Sequence, residues 1–273
     1  MKMKKLLALA LCCIVTLSLF ACGGKEEEKT ALDSVKEAGV LKVSVSPDFA
    51  PYEFEDPSKD GQDTYVGSDI EMIRYVAQEL GVELEVVAMD FDSCLAGVTQ
   101  GKVDCSINAY YPSEERRKTV DFTDAYFDDS KQVVVVKKEN ASKFATAESF
   151  EGETLAAQNG SVQDQIVTEK ITGAKKQLVT KVTDGVQMVK RNKAAGVVLQ
   201  NVVAESIVAS DPSLAIAEPV FIHEEAELVI AVNKGETELC EAFNEIIKKI
   251  NDEGLYGEWL VDAQNKAASI GGE

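Results

Sequence analysis

The sequence predicts an α/β protein of two lobes with a cleft between them. Three observations carry this reading. Strand and helix signals alternate as β-α-β-α-β over residues 40–108. A second run of strand and helix units follows from about residue 154. Two apolar runs, "KQVVVVKK" at 131–138 and "AELVIAVN" at 226–233, stand where the chain would pass between the two groups. Strands separated by helices call for a parallel sheet, and two such sheets leave a groove where they meet.

The elements follow in order. "VLKVSVS" (40–46) puts Leu41, Val43 and Val45 on one face with the period of a strand. "GSDIEMIRYVAQELG" (67–81) is an amphipathic helix. Ile70, Ile73, Ala77 and Leu80 form its apolar stripe, Ser68 and Glu71 have capping-box spacing, and Gly81 marks its end. "VELEVVAM" returns as a strand, "SCLAGVTQGK" is a short helix, and "VDCSIN" is the next strand. In the second half "ETLAAQNGS" gives a strand and a glycine turn. "VQDQIVTEKI" and "DGVQMVKRNKA" give helices, "AGVVLQ" a strand, and "NVVAESIVA" a further helix. Near the end Leu239, Phe243, Ile246, Ile247 and Ile250 line one helical face, and Gly254 marks its stop.

The first residues belong to targeting. "MKMKK" is a basic start, and the apolar run behind it is too short for a membrane-spanning helix. It ends in "LFAC", and Leu19, Ala21 and Cys22 resemble a bacterial lipoprotein cleavage site. Cleavage there makes 1–21 a signal peptide and leaves Cys22 as a lipid-bearing first residue. The glycines and charges of "GGKEEEK" make a solvated tether through about residue 37, holding the body outside the cytoplasmic membrane. Of the six cysteines Cys12 and Cys13 leave with the signal, so Cys94, Cys105 and Cys240 remain in the body. Their odd number and the lack of a CxxC argue against a disulfide framework or a zinc site.

Composition narrows the function. A net charge of −19 disfavours nucleic-acid binding, which needs clustered Lys and Arg. Walker A, G-x-S-x-G and G-x-G-x-x-G patterns do not occur, and the single histidine, His223, reads as a surface or hinge residue. No cofactor or metal is implied.

"LKVSVSPDFAPYEFED", "YVGSDIEMIRYVAQELGVELEVV" and "DFDSCLAGVTQGKVDCSINAYYPSEERRKTVDFTDAYF" resemble the solute-binding proteins of polar amino-acid ABC importers, bacterial extracellular solute-binding protein family 3. The resemblance runs from about residue 38 to 260. It implies a type II periplasmic-binding-protein-like fold, with two α/β lobes joined by two hinge strands. Lobe one would hold 38–128 plus 224–273, and lobe two 129–223. It also implies capture of an amino acid, or an amino-acid-like solute, by a monomer that delivers it to an ABC permease and its ATPase. Rival functions are an enzyme of the cyclohexadienyl dehydratase kind and a ligand-sensing lipoprotein.

By the same resemblance Arg116 grips the ligand carboxylate, and Phe49 and Phe91 sandwich the ligand. Ser161 and Val162 present helix-start N–H groups to the carboxylate, while Asn108, Ala109 and Tyr111 meet the ligand backbone. Two positions depart from the family pattern. Gln200 stands where an Asp usually pairs with the ligand ammonium, so either another carboxylate such as Asp48 does this or the ligand is not an ordinary α-amino acid. Tyr111 replaces a usual Ser or Thr, and its phenol would narrow the pocket or offer a face to a cation.

Overall fold

The computed structural model describes residues 29–271. Two separate sheets define two lobes. The first sheet has the order β5-β1-β6-β14-β7, with β8 beside β14. Its strands are β1 (Val40–Val45), β5 (Glu83–Ala88), β6 (Cys105–Tyr110), β7 (Val120–Phe122), β8 (Phe127–Asp128) and β14 (Glu227–Asn233). β1 runs parallel to β5 and β6, whereas β14 is antiparallel to β6 and β7. The second sheet has the order β11-β10-β12-β9-β13. It comprises β9 (Lys131–Lys137), β10 (Thr154–Gln158), β11 (Lys175–Val179), β12 (Gly196–Gln200) and β13 (Leu214–Ile222). A small antiparallel sheet of β2 (Asp48–Phe49), β3 (Glu53–Glu55) and β4 (Tyr65–Val66) sits on the first lobe.

The helices are α1 (Ala31–Ala38), α2 (Ser68–Leu80), α3 (Phe91–Thr99), α4 (Val162–Glu169), α5 (Val182–Lys190), α6 (Asn201–Ser210), α7 (Thr237–Glu253) and α8 (Leu255–Gly271). Helix α2 buries Ile70, Ile73 and Ala77, as its periodicity requires. Its cap differs from the expected capping box. The N-cap is Gly67 at φ 128°, and Ser68 is already helical, with its hydroxyl 3.1 Å from that of Tyr256. Gly67 is there because the backbone comes too close for anything larger: a Cβ would lie 2.1 Å from the Tyr52 carbonyl oxygen. Among the described residues no helix is long and apolar enough to cross a membrane. Cys94, Cys105 and Cys240 are free thiols. The expected signal peptide and Cys22 lie outside the described residues, and the flexible tether expected through about residue 37 is corrected from Ala31 onward, where the chain forms α1 with Thr30 as its cap and Val35 buried.

The runs at 131–138 and 226–233, read from sequence as connections, are integral sheet strands. β9 lies between β12 and β13, and β14 between β6 and β7. Their central residues are buried on both faces, which explains the unbroken valines of β9. The passages between lobes are only residues 129–130 and 223–226. They run side by side: the N–H of His223 donates to the Ser130 carbonyl at 2.8 Å, and that of Asp129 to the Ala226 carbonyl at 3.0 Å. His223 is therefore a residue of the crossing. Helix α8, which the sequence reading did not extend beyond Gly254, packs against both α2 and α6 and so touches elements of both lobes.

Candidate functional site

The cleft is closed by hydrogen bonds from one lobe to the other. The N–H of Val182, at the start of α5, donates to Asp48 Oδ2 at 2.5 Å. Asn159 Nδ2 donates to Asp92 Oδ2 at 2.6 Å. Arg116 Nη2 donates to the Gly160 carbonyl at 3.3 Å. Inside this seam lies a narrow cavity of about 20 Å³. Phe49, Phe91, Asn108, Ala109, Tyr111, Arg116, Val162 and Gln200, eight of the nine residues singled out for ligand contact, line it together. Gln158 and Gln163 also line it, and sequence reasoning did not find them. A signal for Gln158 was present: "LAAQ" and "VVLQ" each end an apolar strand in a glutamine, at the carboxyl ends of parallel neighbours β10 and β12.

Ser161 is the ninth, and it is not among the residues lining the cavity. Its N–H and hydroxyl both donate to the Gln158 carbonyl, at 3.3 and 2.7 Å, and its Oγ accepts from the Asp164 N–H as the cap of α4. The N–H groups available at this helix start are therefore those of Val162 and Gln163.

Arg116 follows β6 on a short 3-10 turn, Arg116–Lys118, which continues a turn at Glu114 and Glu115. Its guanidinium lies 5.1 Å from the Tyr110 ring centroid and 5.7 Å from that of Phe91. Nη1 donates to the Tyr111 carbonyl at 3.0 Å. No salt bridge among the described residues includes Arg116. Enclosure by the protein lowers its pKa from the usual arginine value. The cavity thus holds a cation that touches rings and carbonyls and forms no ion pair, with the charges of Glu115 and Glu225 acting on it from beyond ion-pair distance.

Tyr111 lines the cavity, but its hydroxyl is not free for a ligand. It donates to the Asp129 carbonyl at 2.5 Å and accepts from Gln132 Nε2 at 2.8 Å and Gln200 Nε2 at 2.6 Å. One proton and two lone pairs are then fully used. The ring meets His223 edge-on at 4.6 Å. Asp48 is not the missing carboxylate of the cavity either. It accepts from Ser46 Oγ and the Val182 N–H, and it lines a separate surface depression with Lys181.

Behind Ala109 lies a carboxylate pair. Asp69 Oδ2 accepts from the Ala109 N–H and the Tyr126 hydroxyl, each at 2.9 Å, and Oδ1 from the Tyr256 hydroxyl at 2.6 Å. Burial raises Asp69 to a pKa of about 6. Burial first, and then the charge of Asp69, push Glu53 well above the carboxylate range, and Glu53 Oε2 has no partner.

A two-lobed cleft that closes over a small cavity is the architecture of a protein that binds a small solute. The model of the bacterial extracellular solute-binding proteins, family 3, matches residues 41–261. The chain belongs to that family. It is 32% identical to the arginine-binding extracellular protein ArtP of Bacillus subtilis over 92% of this chain and 94% of that protein. An amino acid ABC transporter substrate-binding protein from Streptococcus pneumoniae, solved bound to L-arginine, superposes with a TM-score of 0.82 at 30% identity. That match covers 86% of this chain and 98% of the other. The arginine-bound form of a truncated ArgBP from T. maritima is 36% identical, with a TM-score of 0.73, over 80% of this chain and 99% of that truncated chain. The fold and these relationships make this a solute-binding protein of the amino-acid ABC-transporter type, extracytoplasmic, and not an enzyme.

The carboxyl pair makes stability depend on pH. Both groups bind protons more tightly folded than unfolded, so their contribution is present at low pH. It is lost as pH rises through about 6, where Asp69 ionises. Glu53→Gln is expected to raise Tm by about 2–4 °C at pH 8 and far less at pH 4.5. Thermal unfolding at the two pH values checks this, and an equal shift at both would contradict it.

Proposed function

We propose that the cleft captures an amino acid or amino-acid-like solute by its carboxylate and delivers it to an ABC permease driven by its ATPase. The unpaired Arg116 carries this reading. A guanidinium offers a planar pair of donors matched to a carboxylate, and an enclosed charge without a partner favours an incoming anion. Helix α4 starts beside Gly160, which Arg116 already touches across the cleft, so its first N–H groups extend the same anion-binding corner. Arg116 belongs to the lobe of the first sheet and α4 to that of the second. A carboxylate held by both stabilises the closed form over the open one, and this differential affinity drives closure about residues 129–130 and 223–226. Phe49 and Phe91 supply apolar walls for the rest of the solute. The arginine carried by the S. pneumoniae and T. maritima proteins makes amino acids the first compounds to test.

Arg116→Ala should abolish the thermal stabilisation that a binding amino acid or derivative produces, with the far-UV circular dichroism unchanged. Full-strength stabilisation of the variant would refute the carboxylate assignment.

We also infer that Cys22 carries lipid and tethers the body to the outer face of the cell membrane through the segment before Thr30. The basis is the "LFAC" junction and the charged stretch after it. Cys22→Ser should end metabolic labelling by fatty acid and release the protein from washed membranes; unchanged labelling would refute the anchor.

A further inference from the structure

The hydrogen-bond polarity of two cavity-lining glutamines, Gln163 and Gln200, is set by one residue, Tyr111. The Asp129 carbonyl can only accept, so the Tyr111 hydroxyl must donate to it. Its two lone pairs must then face N–H donors, which fixes the amide groups of Gln132 and Gln200 with Nε2 toward the phenol. Gln132 therefore turns Oε1 away from the phenol, and that oxygen accepts from Gln163 Nε2 at 2.6 Å. Gln158 is fixed independently, because its Nε2 donates to the Thr180 carbonyl at 3.1 Å. Three glutamines that line the cavity thus give their N–H groups to the protein. Among the described residues no donor reaches Oε1 of Gln158, Gln163 or Gln200, so the wall offers neutral acceptors.

None of the nearby carboxylates lines the cavity. Asp48 is engaged by Ser46 and Val182, Asp69 by Ala109, Tyr126 and Tyr256, and Asp129 by the Tyr52 hydroxyl at 3.0 Å. The Asn108 amide faces Ser46, Ser106, Ser44 and Tyr110. A ligand carboxylate neutralises Arg116. An ammonium on the same ligand would then add a second positive charge to a closed cleft. Neutral oxygens can satisfy the hydrogen bonds of an ammonium but not its charge. An amide or urea N–H meets the same oxygens without that excess.

We propose that this cleft takes an α-carboxylate whose nitrogen is a neutral N–H donor, an N-acyl or N-carbamoyl amino acid, in preference to the free α-amino acid. The proposal rests on Arg116 binding the carboxylate, and it makes Tyr111 the residue that orients the selective wall.

The test is calorimetric titration of the protein with matched sets: each L-amino acid beside its N-acetyl and N-carbamoyl derivatives. The expected result is that a blocked form binds at least about tenfold more tightly than its free counterpart. Gln200→Glu, which puts a negative charge on the wall, should reverse that ranking. Tyr111→Phe frees the glutamine amides to rotate and should collapse the preference to about twofold or less. Tighter binding of the free amino acids to the unaltered protein overturns the proposal while leaving carboxylate capture in place. A preference that survives undiminished in both variants also overturns it. Failure of every carboxylate in the sets to bind overturns both this proposal and the reading beneath it.

Discussion

A half-buried arginine set between two lobes with no ion-pair partner among the described residues is the constraint on which the rest of the site depends. The charge of Arg116 is steadied by the rings of Phe91 and Tyr110 and by the carbonyls of Tyr111 and Gly160. None of these cancels it. A protein that closes over such a group stabilises the closed form most when an anion comes with it. The fold supplies the geometry: β6 brings the turn that holds Arg116 to one side of the cleft, and β10 brings the start of α4 to the other.

The crossing between lobes is tied into the same site. Asp129, in the first passage, accepts from Tyr111 through its carbonyl and from Tyr52 through its side chain. Gln132 follows two residues after the passage and Gln200 ends β12, and both reach the same phenol. The cavity-lining Tyr111 is thus held from behind by Asp129 and Gln132, at and next to the crossing. Closure and ligand contact therefore share a hydrogen-bond network, with Tyr111 at its centre.

Much of this was legible in the sequence, for definite reasons. Strands with buried faces and helices with apolar stripes announce themselves by period, as β1, β6, α2 and α7 do. Seven strands went unread: β2, β3, β4, β7 and β8 are only two or three residues long, too short to show a period, and β11 and β13 are the edges of the second sheet. β11 is exposed along most of its length, and β13 carries Pro219 and a register shift between Ile216 and Val220, so neither shows a clean pattern. The capping box expected at Ser68 failed because spacing cannot report the close approach of the Tyr52 carbonyl to Gly67. Positions along the chain placed eight lining residues together, but not the direction of a bond. That Tyr111 faces Gln200, and that Asp48 turns to α5, depend on the closed arrangement of two lobes. No local pattern encodes that arrangement.

The central claim is that Arg116 and the start of α4 hold a ligand carboxylate in the closed cleft. The most direct measurement compares the affinity of a bound solute with that of its primary carboxamide, which keeps shape and size but removes the charge. Hydrogen bonds to a charged group contribute roughly 1.5–3 kcal/mol, so the carboxamide should bind about ten- to a hundredfold more weakly. The difference should vanish in Arg116→Ala. Equal affinity of acid and amide in the unaltered protein would contradict the account.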